Sequence, residues 1–304
     1  MTRGAEDRGE ISSIPWRGPG VGRPDLPLPP VRLPMVRAGT LRKRWRYVGV
    51  YCDELMLCAA RVAVGPLRQT FWAVLDRGNG ELSERTRHLL PGARGEVWSE
   101  TPDGARWRIG SRREGVSTRI EGEGISARID FGKGAWGESV CPADGAYVWT
   151  RKRVAPVRVD LRLADGRAWN RSAYAIEDES AGYHPRRTHW RWSAGVGVAV
   201  GGEPIGWNLV EGVNDPPLGS ERSIWIAGEV SEPPPVRFDG LEQVAFTGGE
   251  RLHFAPEAER RADENKLILR SRYRQPFGTF TGELPGGVEI AEAYGVMEEH
   301  EALW

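Results

Sequence analysis

Between Tyr174 and Trp225 the chain gathers a dense set of groups able to move protons or hold ligands: Glu177, Asp178, Glu179, His184, Asn208, Glu211, Asn214, Asp215 and Glu221. The same stretch carries Tyr183, Trp190, Trp192, Trp207 and Trp225. Aromatic walls with a few polar groups are what a small-molecule pocket requires. A carboxyl held against indole rings loses solvation, so its pKa rises and it can donate a proton near neutral pH. Hydration or cyclisation of an apolar alkene uses such an acid, and indole faces stabilise the cation that forms. On this reasoning Glu211, Asp215 and Glu221 are the candidate acids, and His184 is a candidate partner that orients a ligand or a carboxylate. Trp190, Trp192, Trp207, Trp225 and Tyr183 are candidate walls, with Asn208 as a polar guide.

Each of these residues also has a purely structural role open to it. Glu211 and Glu221 can bridge to Arg222 or to backbone amides at strand ends, since structural networks perturb carboxyls too. His184 can be a turn histidine satisfied by the backbone. The large rings are first of all core material. Glu177, Asp178 and Glu179 with His184 offer oxygens to a hard cation, but no second ligand spacing accompanies them. They are expected in a loop, paired with Arg171, Arg186 and Arg187. No metal site is assigned, and no Ser–His–Asp signature is visible.

No cofactor is expected either. Gly122, Gly124 and Ala127 match the form of a dinucleotide fingerprint, GxGxxA. That motif needs a helix to follow. Here Ile125, Ala127, Ile129 and Phe131 repeat at period two, which is a strand pattern.

The elements that must position the site are read from the same period. Thr188, Trp190 and Trp192 fall on one strand face, with His189 and Arg191 on the other. Ile205, Trp207, Leu209 and Glu211 share a face, as do Glu221, Ser223 and Trp225. Residues 213–217 (VNDPP) read as a turn. Earlier in the chain, Trp45, Tyr47, Gly49 and Tyr51 alternate with Arg46, Val48 and Val50. Strands follow over 56–64, 70–75, 97–99, 105–110, 116–120, 125–131 and 157–163, with a hairpin turn at 76–80 (DRGNG). Residues 136–144 read as irregular and 147–157 as a connector. Residues 256–265 (PEAERRADEN) are the best helix candidate. Strands close the chain, and Glu298, His300 and Trp304 are expected to latch it rather than to form a site.

The bulk composition agrees with an all-β protein. Gly (39) and Pro (22) are abundant, and short alternating runs recur between turn signals. The 304 residues carry 42 basic and 42 acidic side chains, so charge gives no case for nucleic acid. No apolar run approaches a membrane span or a signal peptide, so a cytoplasmic protein without membrane insertion is expected. Three cysteines with no CxxC spacing argue for free thiols. The expected organisation is a Pro-rich N-terminal arm (1–38), a first β half (39–155) and a second β half carrying the site (156–304).

The order of several motifs adds a resemblance. Trp149-Thr150-Arg151-Lys152, Ala181-Gly182-Tyr183-His184, residues 190–197 (WRWSAGVG), Trp207-Asn208-Leu209-Val210, Asn214-Asp215, Ser220-Glu221-Arg222, residues 275–280 (QPFGTF) and residues 294–298 (YGVME) follow one another. Together they resemble the bacterial family catalogued as domain of unknown function 2804, from about Trp45 to Trp304. More distantly the chain looks like the two-domain lipocalin-like proteins that include carotenoid hydratases and terpenoid or polyketide cyclases. That resemblance implies two lipocalin-like (calycin-like) β-barrel or sandwich halves packed together, with little helix, and an apolar small molecule as partner. The expected activity is cofactor-independent hydratase, isomerase or cyclase chemistry. The alternatives are a non-catalytic carrier on the same fold and, more weakly, a sugar binder. Oligomeric state is not legible.

Overall fold

The computed structural model describes residues 15–18, 22–90, 93, 95–106, 108–111, 115–266 and 269–304. Among them there is no helix. The strands form two large antiparallel sheets and a small ribbon of Val36–Arg37 with Thr40–Leu41.

The first sheet runs in the order Glu81–Leu89, Leu67–Asp76, Leu55–Val64, Lys43–Tyr51, Ala168–Gly182, Ala146–Leu163, Ile125–Phe131, Ser117–Gly122, Val97–Glu100. Strands near its two ends meet again in one core: Trp72 and Val74 pack with Val97 and Ile120. The sheet therefore curls around its own apolar interior, as a barrel does. The second sheet runs Glu229–Ser231, Ser223–Ile226, Pro204–Glu211, Arg187–Ala199, Val288–Leu303, Leu269–Leu284, Arg251–Lys266, Gln243–Phe246, Val236–Asp239. It curls likewise, bringing Pro204–Glu211 against Val236–Asp239. A third apolar cluster lies between the two sheets and draws on both, with Tyr47, Met56 and Phe71 from one and Trp190, Trp192 and Val296 from the other. The expected all-β architecture of two lipocalin-like halves is what the chain adopts.

Several local expectations are corrected. Residues 256–265 are not helical but belong to the strand Arg251–Lys266, which pairs with Leu269–Leu284. Along it Ala258, Arg260 and Ala262 turn to one side, and cross-strand pairing overrides the helix-forming residues. Residues 136–144 are not irregular, since Trp136–Ala143 pairs with residues 146–153. Residues 147–157 are not a connector. They belong to an 18-residue strand, Ala146–Leu163, whose far end pairs with Ile125–Phe131 instead. No strand forms at 105–110 among the described residues, where an isolated bridge joins Glu100 to Arg106. Residues 125–131 are a strand, which removes the dinucleotide motif.

The chain passes from the first sheet to the second between Gly182 and Arg187. The arm is anchored: Trp16–Gly18 pairs with Trp136–Ala143, and Leu28 and Leu33 are buried against Tyr147, Trp149 and Tyr183. Among the described residues, no helix is long and apolar enough to cross a membrane. Cys52, Cys58 and Cys141 are free thiols.

Candidate functional site

A cavity of about 440 Å³ opens between the two sheets. Its walls are Trp45, Tyr47, Ala60, Val62 and Phe71 from the first sheet and Trp190, Trp192, Val210 and Trp304 from the second half. The first-sheet wall follows from strand alternation. Trp45 and Tyr47 point into the cavity, so Arg44, Arg46 and Val48 point away, into the first half.

Glu298 is an acid–base group on the wall of this cavity. On Val288–Leu303, Val296, Glu298, His300 and Ala302 occupy alternate positions, and cross-strand pairing sets Glu298 beside Trp192 and His300 beside Trp190. Trp190 Nε1 donates to Glu298 Oε1 at 2.9 Å, and Gln275 Nε2 donates to Oε2 at 3.1 Å. Burial pushes the Glu298 carboxyl up to about 7, against the smaller opposing pull of the Trp190 N–H. The Tyr273 hydroxyl is buried beside it and makes no hydrogen bond of good geometry. Burial and the nearby Glu298 charge raise the Tyr273 pKa. His300 lies with its ring 4.3 Å from that of Trp190, and its Nε2 is 2.8 Å from Ser271 Oγ. Burial, then the Arg260 charge, hold it down to about 3, so it is neutral at physiological pH.

A second polar centre lines the same cavity. Lys152 Nζ sits 2.6 Å from Asp178 Oδ1 and 3.5 Å from Glu221 Oε1. Burial disfavours its charge, but the two carboxylates outweigh that and keep it protonated. Asn214 adopts a left-handed backbone (φ 50°), tolerated by Asn, and donates from Nδ2 to Glu221 Oε2 at 3.0 Å. Burial raises the Glu221 pKa while Lys152 opposes. His184 is 1% exposed, and neither of its ring nitrogens has a hydrogen-bond partner. Burial, with Lys43 and Lys152 nearby, depresses it to about 3. Its ring lies 4.8 Å from that of Trp45 on the cavity wall.

The residues singled out from sequence are thus divided. Glu221, His184, Trp190 and Trp192 line the cavity. Asn208 lies behind it, accepting from Trp192 Nε1 at 2.7 Å and donating to the Glu221 carbonyl at 3.1 Å. Trp207 faces the other way. It pairs with Gly195, whereas Trp192 pairs with Val210, and the three-residue separation, being odd, reverses the face. Its ring lies over Gly195, where a Cβ would come within 2.2 Å, and it packs in the interior of the second half. Glu211 shares that direction, at the strand end, and accepts from Phe238 N at 3.3 Å. Asp215 caps its own turn by accepting from Gly212 N at 2.8 Å. Trp225 donates to the Ala135 carbonyl between the sheets, and Tyr183 holds the arm through the Pro34 carbonyl at 2.9 Å.

Glu177, Asp178 and Glu179 are not in a loop and do not pair with Arg171, Arg186 or Arg187. They lie on Ala168–Gly182, where Glu177 meets Arg46 and Arg153, and Glu179 meets Arg151. Burial alone would raise the Glu177 pKa, but Arg46 and Arg153 outweigh it and hold the carboxyl down to about 2. The latch reading of Glu298, His300 and Trp304 is replaced by a place at the cavity. The signal that marks Glu298 in the sequence is a carboxylate on the apolar phase of an alternating strand, between Val296 and His300.

Residues 138–304 match the family described as Domain of unknown function (DUF2804). No curated protein matches the chain. Among solved structures, a Nitrosomonas europaea protein provisionally named AttH superposes with a TM-score of 0.56 at 14% identity, covering 90% of this chain and 97% of its own. Kievitone hydratase from Nectria haematococca gives a TM-score of 0.54 at 11% identity, covering 84% of this chain and 88% of its own. At these identities the likeness is one of fold.

Proposed function

We propose that this chain, which belongs to the DUF2804 family, binds an apolar small molecule in the cavity between its two sheets and that Glu298 transfers a proton to it. One observation carries the reading: a carboxyl raised to about 7 stands in an aromatic cavity, held by Trp190 and Gln275. An acid poised near neutral pH both holds a proton and gives it up readily. The indole and phenol rings around it suit a substrate that becomes cationic as the proton arrives. At the other centre, His184 Nδ1 or Nε2 offers a hydrogen bond to a polar group of the ligand, and the Lys152–Asp178–Glu221 triad holds a fixed field. The reaction class is addition to, or closure onto, a protonated double bond, as in hydratases and cyclases. The name of one fold neighbour, kievitone hydratase, is in keeping with this class.

Glu298 replaces Glu211 and Asp215 as the proposed acid, and Glu221 is retained as part of the charged centre. The experiment is mass spectrometry of an organic extract of the purified protein, beside Ala60→Phe, which fills the cavity from its first-sheet wall. A compound present with the wild type and missing from the variant supplies the ligand class. Incubated with that class, wild type should convert it and Glu298→Gln should bind without conversion. Conversion by Glu298→Gln at the wild-type rate rejects the acid role. Binding without conversion by either protein leaves a carrier.

A further inference from the structure

A second cavity, of about 470 Å³, lies at the mouth of the first half. It lies mostly on the other side of the strands that wall the inter-sheet cavity, and the two adjoin at Val62. Val48, Ala59, Val97 and Ile109 give it an apolar floor, and the arm residues 29–33 form one side. The arm is seated closely there, since a Cβ on Gly110 would come within 2.4 Å of Pro29. Arg32, Arg44, Arg61 and Arg108 also line it.

The same half shows how this chain treats arginines that it needs for structure. Arg46, Arg151 and Arg153 each meet a buried carboxylate at 2.6 to 2.8 Å. Arg44, Arg61 and Arg32 have no carboxylate partner among the described residues, and Arg42 uses its guanidinium on the Leu33 carbonyl. Arg44 is only partly exposed. Burial and then the charges of Arg42, Arg61, Arg68 and Arg32 lower its pKa to about 10. Like charges gathered without a counterion beside an apolar floor cost stability unless an anion joins them. Guanidinium is the side chain best shaped to take a carboxylate or phosphate through paired N–H bonds.

We propose that this second cavity binds an amphiphilic anion, with its carboxylate or phosphate head on Arg44 and Arg61 and its apolar body against Val48, Ala59 and Val97. The site is separate from the one assigned to Glu298 and stands whether or not that assignment does.

Calorimetric titration with octanoate and with octyl phosphate tests it, with octanol and inorganic phosphate as headless and bodiless controls. At least one amphiphile should bind wild type, at least tenfold more tightly than either control. Its affinity should fall at least tenfold in Arg44→Gln and in Arg61→Gln, and should weaken with added salt. Ala60→Phe, which blocks only the inter-sheet cavity, should leave it unchanged. Arg44→Gln should melt no lower than wild type, because it removes an uncompensated charge. The proposal is overturned if neither amphiphile binds, if both arginine variants bind normally, or if inorganic phosphate binds as well as the amphiphiles. Loss of binding in Ala60→Phe overturns it as well, by placing the anion in the other cavity. A lowered melting temperature in Arg44→Gln overturns it by making Arg44 structural.

Discussion

Trp190 and Glu298, on neighbouring strands of the second sheet, are joined by an indole N–H donated to a carboxyl oxygen at 2.9 Å. The bond fixes the carboxyl on the cavity side of its strand. It also counters, in part, the burial that raises the pKa to about 7. The same contact thus sets both the direction and the acidity of the proposed proton donor.

This acidity has a consequence for stability with a definite sign. Glu298 is held near 7 in the folded chain and lies near 4.5 when unfolded, so the folded state binds the extra proton between those values. Its contribution favours folding fully below pH 4.5 and is lost as pH rises through 7. At about 1.4 kcal/mol per pKa unit, the loss amounts to about 3 kcal/mol. His184 and His300, depressed to about 3, act oppositely, since their contribution is present above 6.5 and lost as pH falls toward 3. The comparison of wild type with Glu298→Gln isolates the first effect. Denaturant midpoints between pH 4.5 and 8 should show the variant gaining on wild type as pH rises. A constant difference across that range would mean an ordinary carboxyl at 298.

Lys152 is buried between Asp178 and Glu221. Lys152→Met leaves two buried carboxylates without their cation, and breaking such a pair costs about 3–5 kcal/mol. The loss should be present at pH 8 and shrink on acidification, as the orphaned carboxyls take up protons. Urea unfolding at pH 5 and pH 8 distinguishes this from a packing defect, which would give equal losses at both.

Trp207 is fully buried in the second half and turned away from the cavity. Trp207→Ala should cost about 3–5 kcal/mol, the usual price of an emptied aromatic core site. Its affinity for a cavity ligand, measured below its melting temperature, should stay within about twofold of wild type, a change too small to matter on the scale of 1.4 kcal/mol per tenfold. A tenfold loss of affinity would place Trp207 at the ligand.

Much of the fold was legible because alternation is a local property. The strand at 125–131 and the first half of that at 187–199 show it plainly, and Trp190 and Trp192 follow from the same period. The long strand Ala146–Leu163 was hidden because its first eight residues are buried on both faces. A strand covered on both sides has no alternation to read. Trp207 and Asn208 illustrate the same limit within the site. Both faces of Pro204–Glu211 are buried, so period two separates the two residues without saying which side holds the cavity. Glu298 was obscured by composition, lying in the acidic run 298–301 (EEHE), where its phase relative to Val296 is the only mark. Partners distant in sequence, such as Arg46 for Glu177, leave no local trace at all. The same holds for 256–265, whose charged residues favour helix until a partner strand is present.

The central claim is that the space between the sheets takes an apolar molecule. The direct measurement is a fluorescence titration with N-phenyl-1-naphthylamine, a neutral apolar probe, against wild type and Ala60→Phe, with circular dichroism confirming that both are folded. The account predicts saturable one-to-one binding to wild type and at least tenfold weaker binding to the variant, since the added ring occupies the wall formed by Ala60. Equal affinity for the two proteins, or no binding to wild type, would contradict it.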